Sequence, residues 1–252
     1  MARPKPERLD LLLVRRGLAA SRQRARELIE QGQVTIDGLP ATKPATRVTP
    51  DRAIELVTED FPWVGRGALK LIGALDAFEV DPAGQVCADL GSSTGGFTQV
   101  LLERGATRVY AVDVGKGQLA WSLRTDDRVV VMEGVNARHL EGLPEPVDLV
   151  VGDLSFISLT LILPAISRIL RPGGEAVALV KPQFEVGRSE VGKGGLVSDP
   201  EARARAIEGV RQAAEHAGYV VRGGSDSAIS GARAGNLEHF LHLVHPPGST
   251  PG

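Results

Sequence analysis

This 252-residue chain contains one cysteine, Cys87. An internal disulfide is therefore excluded, and so is any multi-cysteine zinc site. Cys87 lies in an apolar run, where a small buried hydrophobe is the expected role rather than a reactive thiol. The five histidines, His139, His216, His239, His242 and His245, show no metal-ligand spacing, so no metal is expected. No apolar run approaches the roughly 18 residues of a membrane helix. The opening MARPKPERLD is polar and has no signal-peptide core, so a cytoplasmic location is expected. Two nucleotide signatures are also missing. There is no GK[ST] ending of a phosphate loop, and no GxGxxG of a nicotinamide fold.

What is present is ordinary in amount and uneven in placement. A hydrophobic content of 42% with 24% charged residues suits a soluble globular protein. The length allows one full α/β domain plus a small accessory one. Residues 1–50 carry ten Lys/Arg against five Asp/Glu, a balance of +5. The other 202 carry 19 against 26, or −7, and the two give the chain its −2. A basic arm on an acidic body suggests nucleic acid met first by the N-terminus.

The chain is organised around ADLGSSTGGFTQVLLERGATRVYAVDVGKGQL, residues 88–119. It reads as strand (86–90), glycine turn, helix (97–104) and a second strand (109–112) that ends in Asp113. Gly91, Gly95 and Gly96 allow a sharp turn and close approach of backbone to ligand. An acid at the tip of the second strand is where a ribose hydroxyl pair is held. With the phosphate-loop and nicotinamide signatures missing, S-adenosylmethionine (SAM) is the remaining candidate. Its amino-acid end suits the turn formed by Asp89, Gly91, Ser92, Ser93, Thr94, Gly95, Gly96 and Phe97, and its ribose suits Asp113.

Strands and helices then alternate, which predicts a doubly wound α/β sheet. Helix is expected at 118–123, 159–170 and 200–217, and strand at 129–132, 147–151, 176–180, 219–221 and 237–244. Pro172-Gly173-Gly174 is expected to turn the chain. Asn136 falls at the height of an adenine, and Asp153 lies just past a strand's carboxyl end, pointing into the crevice. Lys181 ends another strand, and Glu238 starts the last. Residues 183–199 hold four glycines and no apolar run, so a mobile substrate loop is expected there.

The N-terminal pattern RLDLLLVRRGLAASRQRARELIEQGQVTIDG is equally specific. Leu9, Leu11, Leu12 and Leu13 predict a short helix ended by Gly17, and Ser21 is placed to cap a second, stopped by Gly32. Val34 and Ile36 alternate into a strand, and Asp37-Gly38 makes a turn. This resembles the small RNA-binding module of the ribosomal protein S4 family, across residues 8–57. The resemblance implies that Arg8, Arg22, Arg24 and Arg26 contact RNA. Boundaries follow at 1–57 for this α+β module, 58–64 for a linker, 65–246 for the large domain and 247–252 for a disordered tail.

Lys70, in RGALKL, completes a set with Asp153, Lys181 and Glu238. The order Lys–Asp–Lys–Glu at these positions resembles the catalytic tetrad of FtsJ-like ribose 2′-O-methyltransferases. With DLGSSTGGFT, VDVGKGQL, GDLSFISL, VKPQFEVG and GNLEHF, the chain resembles the TlyA family end to end. The departures are Gly65, where a serine is common, and SAISGARAGN at 227–236, which lacks a proline and is one residue longer. The resemblance implies a Rossmann-like SAM-dependent methyltransferase sheet of seven strands, the last antiparallel. It implies SAM as cofactor, ribosomal RNA or ribosomal subunits as partner, no membrane and no obligatory protein partner. The expected reaction is methyl transfer to a ribose 2′-hydroxyl of rRNA, at a cytidine. Lys181 is the expected base, with Lys70 beside it and the two carboxylates positioning. Two other classes stand beside this one. A membrane-active haemolysin is suggested by the family's other name, and requires an apolar span or basic amphipathic helix that is not seen. A non-catalytic rRNA-binding assembly factor predicts a broken tetrad or SAM loop, and both are intact.

Overall fold

The computed structural model describes residues 6–37, 39–41, 43–56, 62–231 and 235–246. The chain divides into two compact units, residues 1–66 and 67–252. Most of the expected linker, the expected tail and Gly38 of the expected turn lie outside the described residues.

The first unit runs β1 (Glu7–Arg8), α1 (Leu9–Arg15), α2 (Arg22–Glu30), β2 (Val34–Ile36), β3 (Leu39–Pro40), β4 (Arg47–Val48) and β5 (Ile54–Leu56). Ser21 caps α2 by accepting from the Arg24 N–H at 3.1 Å. That satisfies one of the donors a helix start leaves unpaired. Leu9, Leu12 and Leu13 of α1 share a core with Ala25, Leu28 and Ile29 of α2, closed by Val34 and Ile54. Strand β2 sits between β3 and β5, antiparallel to both, and β1 pairs with β4.

The second unit contains α3 (Gly67–Phe78), β6 (Val86–Leu90), α4 (Gly96–Glu103), β7 (Arg108–Asp113), α5 (Trp121–Arg124), β8 (Val129–Glu133) and β9 (Val147–Gly152). It continues with α6 (Leu163–Ile169), β10 (Leu170–Val180), α7 (Pro200–His216), β11 (Val220–Asp226) and β12 (His239–Val244). The seven-stranded sheet is ordered β11-β12-β10-β9-β6-β7-β8. Neighbours from β10 to β8 pair parallel, and β12 is antiparallel to both of its neighbours. Strand side chains alternate between faces. Ala88 and Leu90 join the core made with α6 and α7. Asp89 points the other way and meets Thr98 of α4. The sheet is thus covered on both faces, and the chain reverses direction beside β6. There the strand ends open a crevice.

Several expectations need correction. Helix α5 starts at Trp121 rather than at 118, because the Ala120 N–H is drawn to the Thr94 carbonyl at 3.1 Å. The helix expected over 159–170 is a 3-10 turn (Leu159–Leu161) followed by α6, whose first turn holds a proline that lacks a donor. Residues 172–174 do not leave the sheet. They form an irregularity inside β10, where Gly173 donates to the His245 carbonyl and Gly174 accepts from the His245 N–H. Strand β12 begins at His239, so Glu238 precedes it. The mobile loop expected at 183–199 carries three 3-10 turns and is pinned at two points. Glu185 accepts from Ser158 Oγ and from the Leu159 N–H, at 2.6 and 2.8 Å. Buried Asn236 bonds the Val197 N–H and the Gly195 carbonyl, each at 2.8 Å.

Cys87 is fully buried, and burial, aided by Asp148, pushes its thiol up to about 12. It is an inert core residue, as expected. Among the described residues, no helix is long and apolar enough to cross a membrane.

Candidate active site

The turn after β6 is shaped by contact. A Cβ on Gly91, whose φ is +87°, would lie 2.8 Å from the Asp153 carbonyl oxygen. Two backbone segments from adjacent strands meet here, and the Asp153 N–H donates to the Leu90 carbonyl at 3.0 Å. Only glycine fits both the space and the left-handed φ. Gly95, at φ +99°, caps α4 from the same region of φ/ψ space.

These turns leave a crevice of about 490 Å3 at the carboxyl ends of the strands. Among the predicted residues, Gly91, Ser93, Asp113, Asn136 and Asp153 line it. Asp113 is held at the tip of β7 by the Ser93 N–H at 2.8 Å and the Gly115 N–H at 2.7 Å. Asn136 caps the 3-10 turn Ala137–His139 by accepting from the Arg138 N–H at 3.0 Å. Asp89, Ser92, Thr94, Gly95, Gly96 and Phe97 are not among its lining residues. Ser92 and Phe97 are buried, and Phe97 packs against Phe240 with ring centroids 6.2 Å apart. Thr94 holds the chain at Ala120. The walls that sequence reasoning missed are mainly apolar, with Val114, Val135, Leu154, Phe156 and Ile157 beside Gln118 and Ser155. They sit on the loops after β7, β8 and β9. The rule that ligands lie beyond strand ends points to those loops without picking the residues.

Asp89 is fully buried beneath the turn. Thr98 Oγ1 donates to its Oδ2 at 2.7 Å, while Oδ1 has no hydrogen-bond partner among the described residues. Burial, only partly offset by Thr98, pushes its carboxyl up to about 7.

Beside the crevice the structure brings Lys70, Asp153, Lys181 and Glu238 together, from α3 and from the ends of three strands. Lys70 Nζ is 2.6 Å from Glu238 Oε2 and 3.5 Å from Asp153 Oδ2. Lys181 Nζ is 2.5 Å from Asp153 Oδ1 and donates to Ser155 Oγ at 2.8 Å. Lys70, Lys181 and Glu238 are all buried. Burial opposes the Lys70 charge, but Asp153 and Glu238 outweigh it and hold the ammonium above the ordinary lysine value. Burial likewise works against the Asp153 carboxylate, and the Lys181 and Lys70 ammoniums hold it below the usual range.

In the first unit the predicted arginines do not stand free. Asp10 has no exposed surface and is ringed by Arg8 at 2.9 Å, Arg22 at 3.0 Å and Arg26 at 3.3 Å. Arg24 instead pairs with Glu27 in solvent, at 3.3 Å.

Known proteins share both halves. Residues 63–243 match the FtsJ-like methyltransferase family model, and residues 7–54 match the S4 domain. The chain belongs to the TlyA family. It is an S-adenosylmethionine-dependent methyltransferase with an N-terminal S4 domain. It is 55% identical over 239 residues to the 16S/23S rRNA (cytidine-2′-O)-methyltransferase TlyA of Mycobacterium tuberculosis, covering 94% of this chain and 89% of that one. It is 33% identical to the 23S rRNA (cytidine-2′-O)-methyltransferase TlyA of Campylobacter jejuni, covering 94% and 99%. A solved structure from Streptococcus thermophilus, described as a candidate hemolysin, is 41% identical with a TM-score of 0.75. That match covers 99% of this chain and 93% of the other.

SAM fits the crevice on its own terms. The close approach at Gly91 and the polar tip at Asp113 suit a ligand with an amino-acid end and a ribose, and Asp89 Oδ1, without a hydrogen-bond partner among the described residues, lies buried beneath the turn.

Proposed function

We propose that this methyltransferase acts on the ribose 2′-hydroxyl of a cytidine in ribosomal RNA. One observation carries the reading. Asp153 lines the cofactor crevice and also binds both lysines of the buried cluster. A nucleophile held by that cluster therefore lies next to the methyl donor. Asp113 would hold the SAM ribose, Asp89 and the turn from Gly91 to Gly96 its amino-acid end, and Val135 with Asn136 its adenine. When bound, SAM supplies an electrophilic methyl group on a sulfonium.

A ribose hydroxyl is a poor nucleophile until it loses its proton. Lys181, after its ammonium has released a proton to solvent, takes the hydroxyl proton as a neutral amine and becomes an ammonium again, while Lys70, held as an ammonium by two carboxylates, orients Asp153 and the hydroxyl. Alignment of the hydroxyl contributes more than charge stabilisation, because the reaction disperses charge. The first unit grips folded rRNA through Arg8, Arg22 and Arg26, the arginines that ring Asp10, with one nucleotide splayed into the crevice. An enzyme acting on ribosomes works in the cytoplasm.

Unmethylated ribosomal subunits incubated with the protein and SAM carrying a labelled methyl group test this. The expected product is 2′-O-methylcytidine in rRNA. Label on a base, or none in RNA, would overturn it.

A further inference from the structure

Lys181 carries three N–H donors as an ammonium. One faces Asp153 Oδ1 and one goes to Ser155 Oγ, which leaves one for a substrate. Among the described residues Ser155 is the single neutral hydrogen-bond partner of that nitrogen, and it also lines the cofactor crevice. It therefore stands at the junction between the methyl donor's site and the base, where the reacting hydroxyl must come.

The local backbone is built to keep it there. Phe156, the next residue, sits at φ +65°, a left-handed conformation that a bulky side chain adopts only under constraint. The constraint comes from the contacts that follow. The Phe156 ring lies 5.3 Å from Phe184, three residues after Lys181. Glu185 then fastens Ser158 and Leu159 to the same segment. Two clamps thus join the loop after β9 to the segment after β10, and both follow directly on the Ser155–Lys181 bond along the two segments.

We propose that Ser155 is a positioning residue for the methyl transfer. Its hydroxyl aims the Lys181 amine at the target ribose. This rests on the reading of Lys181 as base. The hydroxyl takes up one donor of the nitrogen and fixes the side chain's last torsion. The remaining donor position points to the substrate oxygen, and the same direction is the lone pair's once the amine is neutral. A misaimed base costs rate without costing substrate affinity, because the RNA is held elsewhere.

The test compares Ser155→Ala, Ser155→Thr and Lys181→Ala in the full-length protein, with unmethylated ribosomal subunits and SAM. Single-turnover methyl transfer by Ser155→Ala should fall about 10- to 100-fold. The KM for subunits and the SAM affinity should stay within about twofold of wild type, a split that a merely structural loss would not produce. Ser155 is exposed, so the threonine methyl fits, and Ser155→Thr should recover most of the rate. A Ser155→Ala rate within about twofold of wild type overturns the role, as does failure of the threonine to rescue. Either result beside an inactive Lys181→Ala variant defeats the positioning role alone. An active Lys181→Ala variant defeats the base assignment itself.

Discussion

Each unit of this protein buries carboxylate among cations, and the two clusters differ in one chemical respect. In the first unit Asp10 is surrounded by Arg8, Arg22 and Arg26, whose side chains are roughly half exposed. In the second, Asp153 and Glu238 hold Lys70 and Lys181, and the lysines are buried with them. A guanidinium does not lose its proton in a protein, so three arginines on one acid can only bind. Their net excess of positive charge faces outward. A buried ammonium can become an amine, so the lysine cluster can move a proton. The same pairing of acid and cation thus serves adhesion in one unit and chemistry in the other.

Exchanging the cation breaks the comparison most directly. Lys181→Arg keeps the charge and the Asp153 pair but removes the base. Its single-turnover methylation of rRNA should fall about 10²- to 10⁴-fold, close to Lys181→Ala. Lys70→Arg should retain more activity than either, because Lys70 works as a fixed cation. Calorimetry should find SAM affinity unchanged in Lys181→Arg. Equal loss in the Lys70 and Lys181 variants would mean that the two lysines share one role.

The sequence made some of this legible and hid the rest for physical reasons. Strand β6 was readable to the residue, because it is an apolar run interrupted only by Asp89 and ended by glycine. Asp153, Lys181 and Glu238 could be singled out because they flank strand ends, and Lys70, inside α3, only through the family resemblance; the topology brings the four together. The Ser155 contact could not be read, since it joins loops 26 residues apart. The pinning of residues 183–199 by Asn236 spans some forty positions and likewise leaves no local pattern. Helical spacing put Arg22, Arg24 and Arg26 off the apolar face. It could not show that Asp10, from another helix, collects two of them and passes over the third.

A middle-sized effect concerns Asp89, which has no cation partner among the described residues. Its folded carboxyl is raised to about 7, against about 4 in an unfolded chain. A raised folded pKa means the unfolded state gives up its proton first. Stability contributed by the protonated acid is therefore full below about pH 4 and is lost as pH rises through about 7. The loss in the ligand-free protein should be on the order of a few kcal/mol. Denaturant titrations across pH 4 to 8 should show Asp89→Asn flattening this fall, while SAM binding weakens by about 1.5–3 kcal/mol. A variant with an unchanged pH profile would show that Asp89 stays ionised when buried.

The smallest effects sharpen the arginine side. If the ring around Asp10 is the phosphate grip, its members should matter and their neighbour should not. Replacing Arg8, Arg22 and Arg26 together with glutamine should flatten the log–log salt dependence of RNA binding by about two to three units, at 0.7–0.9 per phosphate. Arg24→Gln should leave the slope nearly where it was. Arg24 is already paired with Glu27 on an exposed helix face, and such pairs are worth little and are easily exchanged for water. Asp10→Asn is the informative control. It removes the acid that gathers the ring but leaves all three guanidiniums, so the number of phosphates available is unchanged. If the carboxylate's purpose is to hold the arginines in one geometry, RNA affinity at a fixed salt concentration should fall although the net charge has risen by one. A rise in affinity would show that charge alone governs the grip, and that the buried aspartate merely anchors α1 to α2. All of these variants should bind SAM like wild type, because the residues that would hold it belong to the other unit.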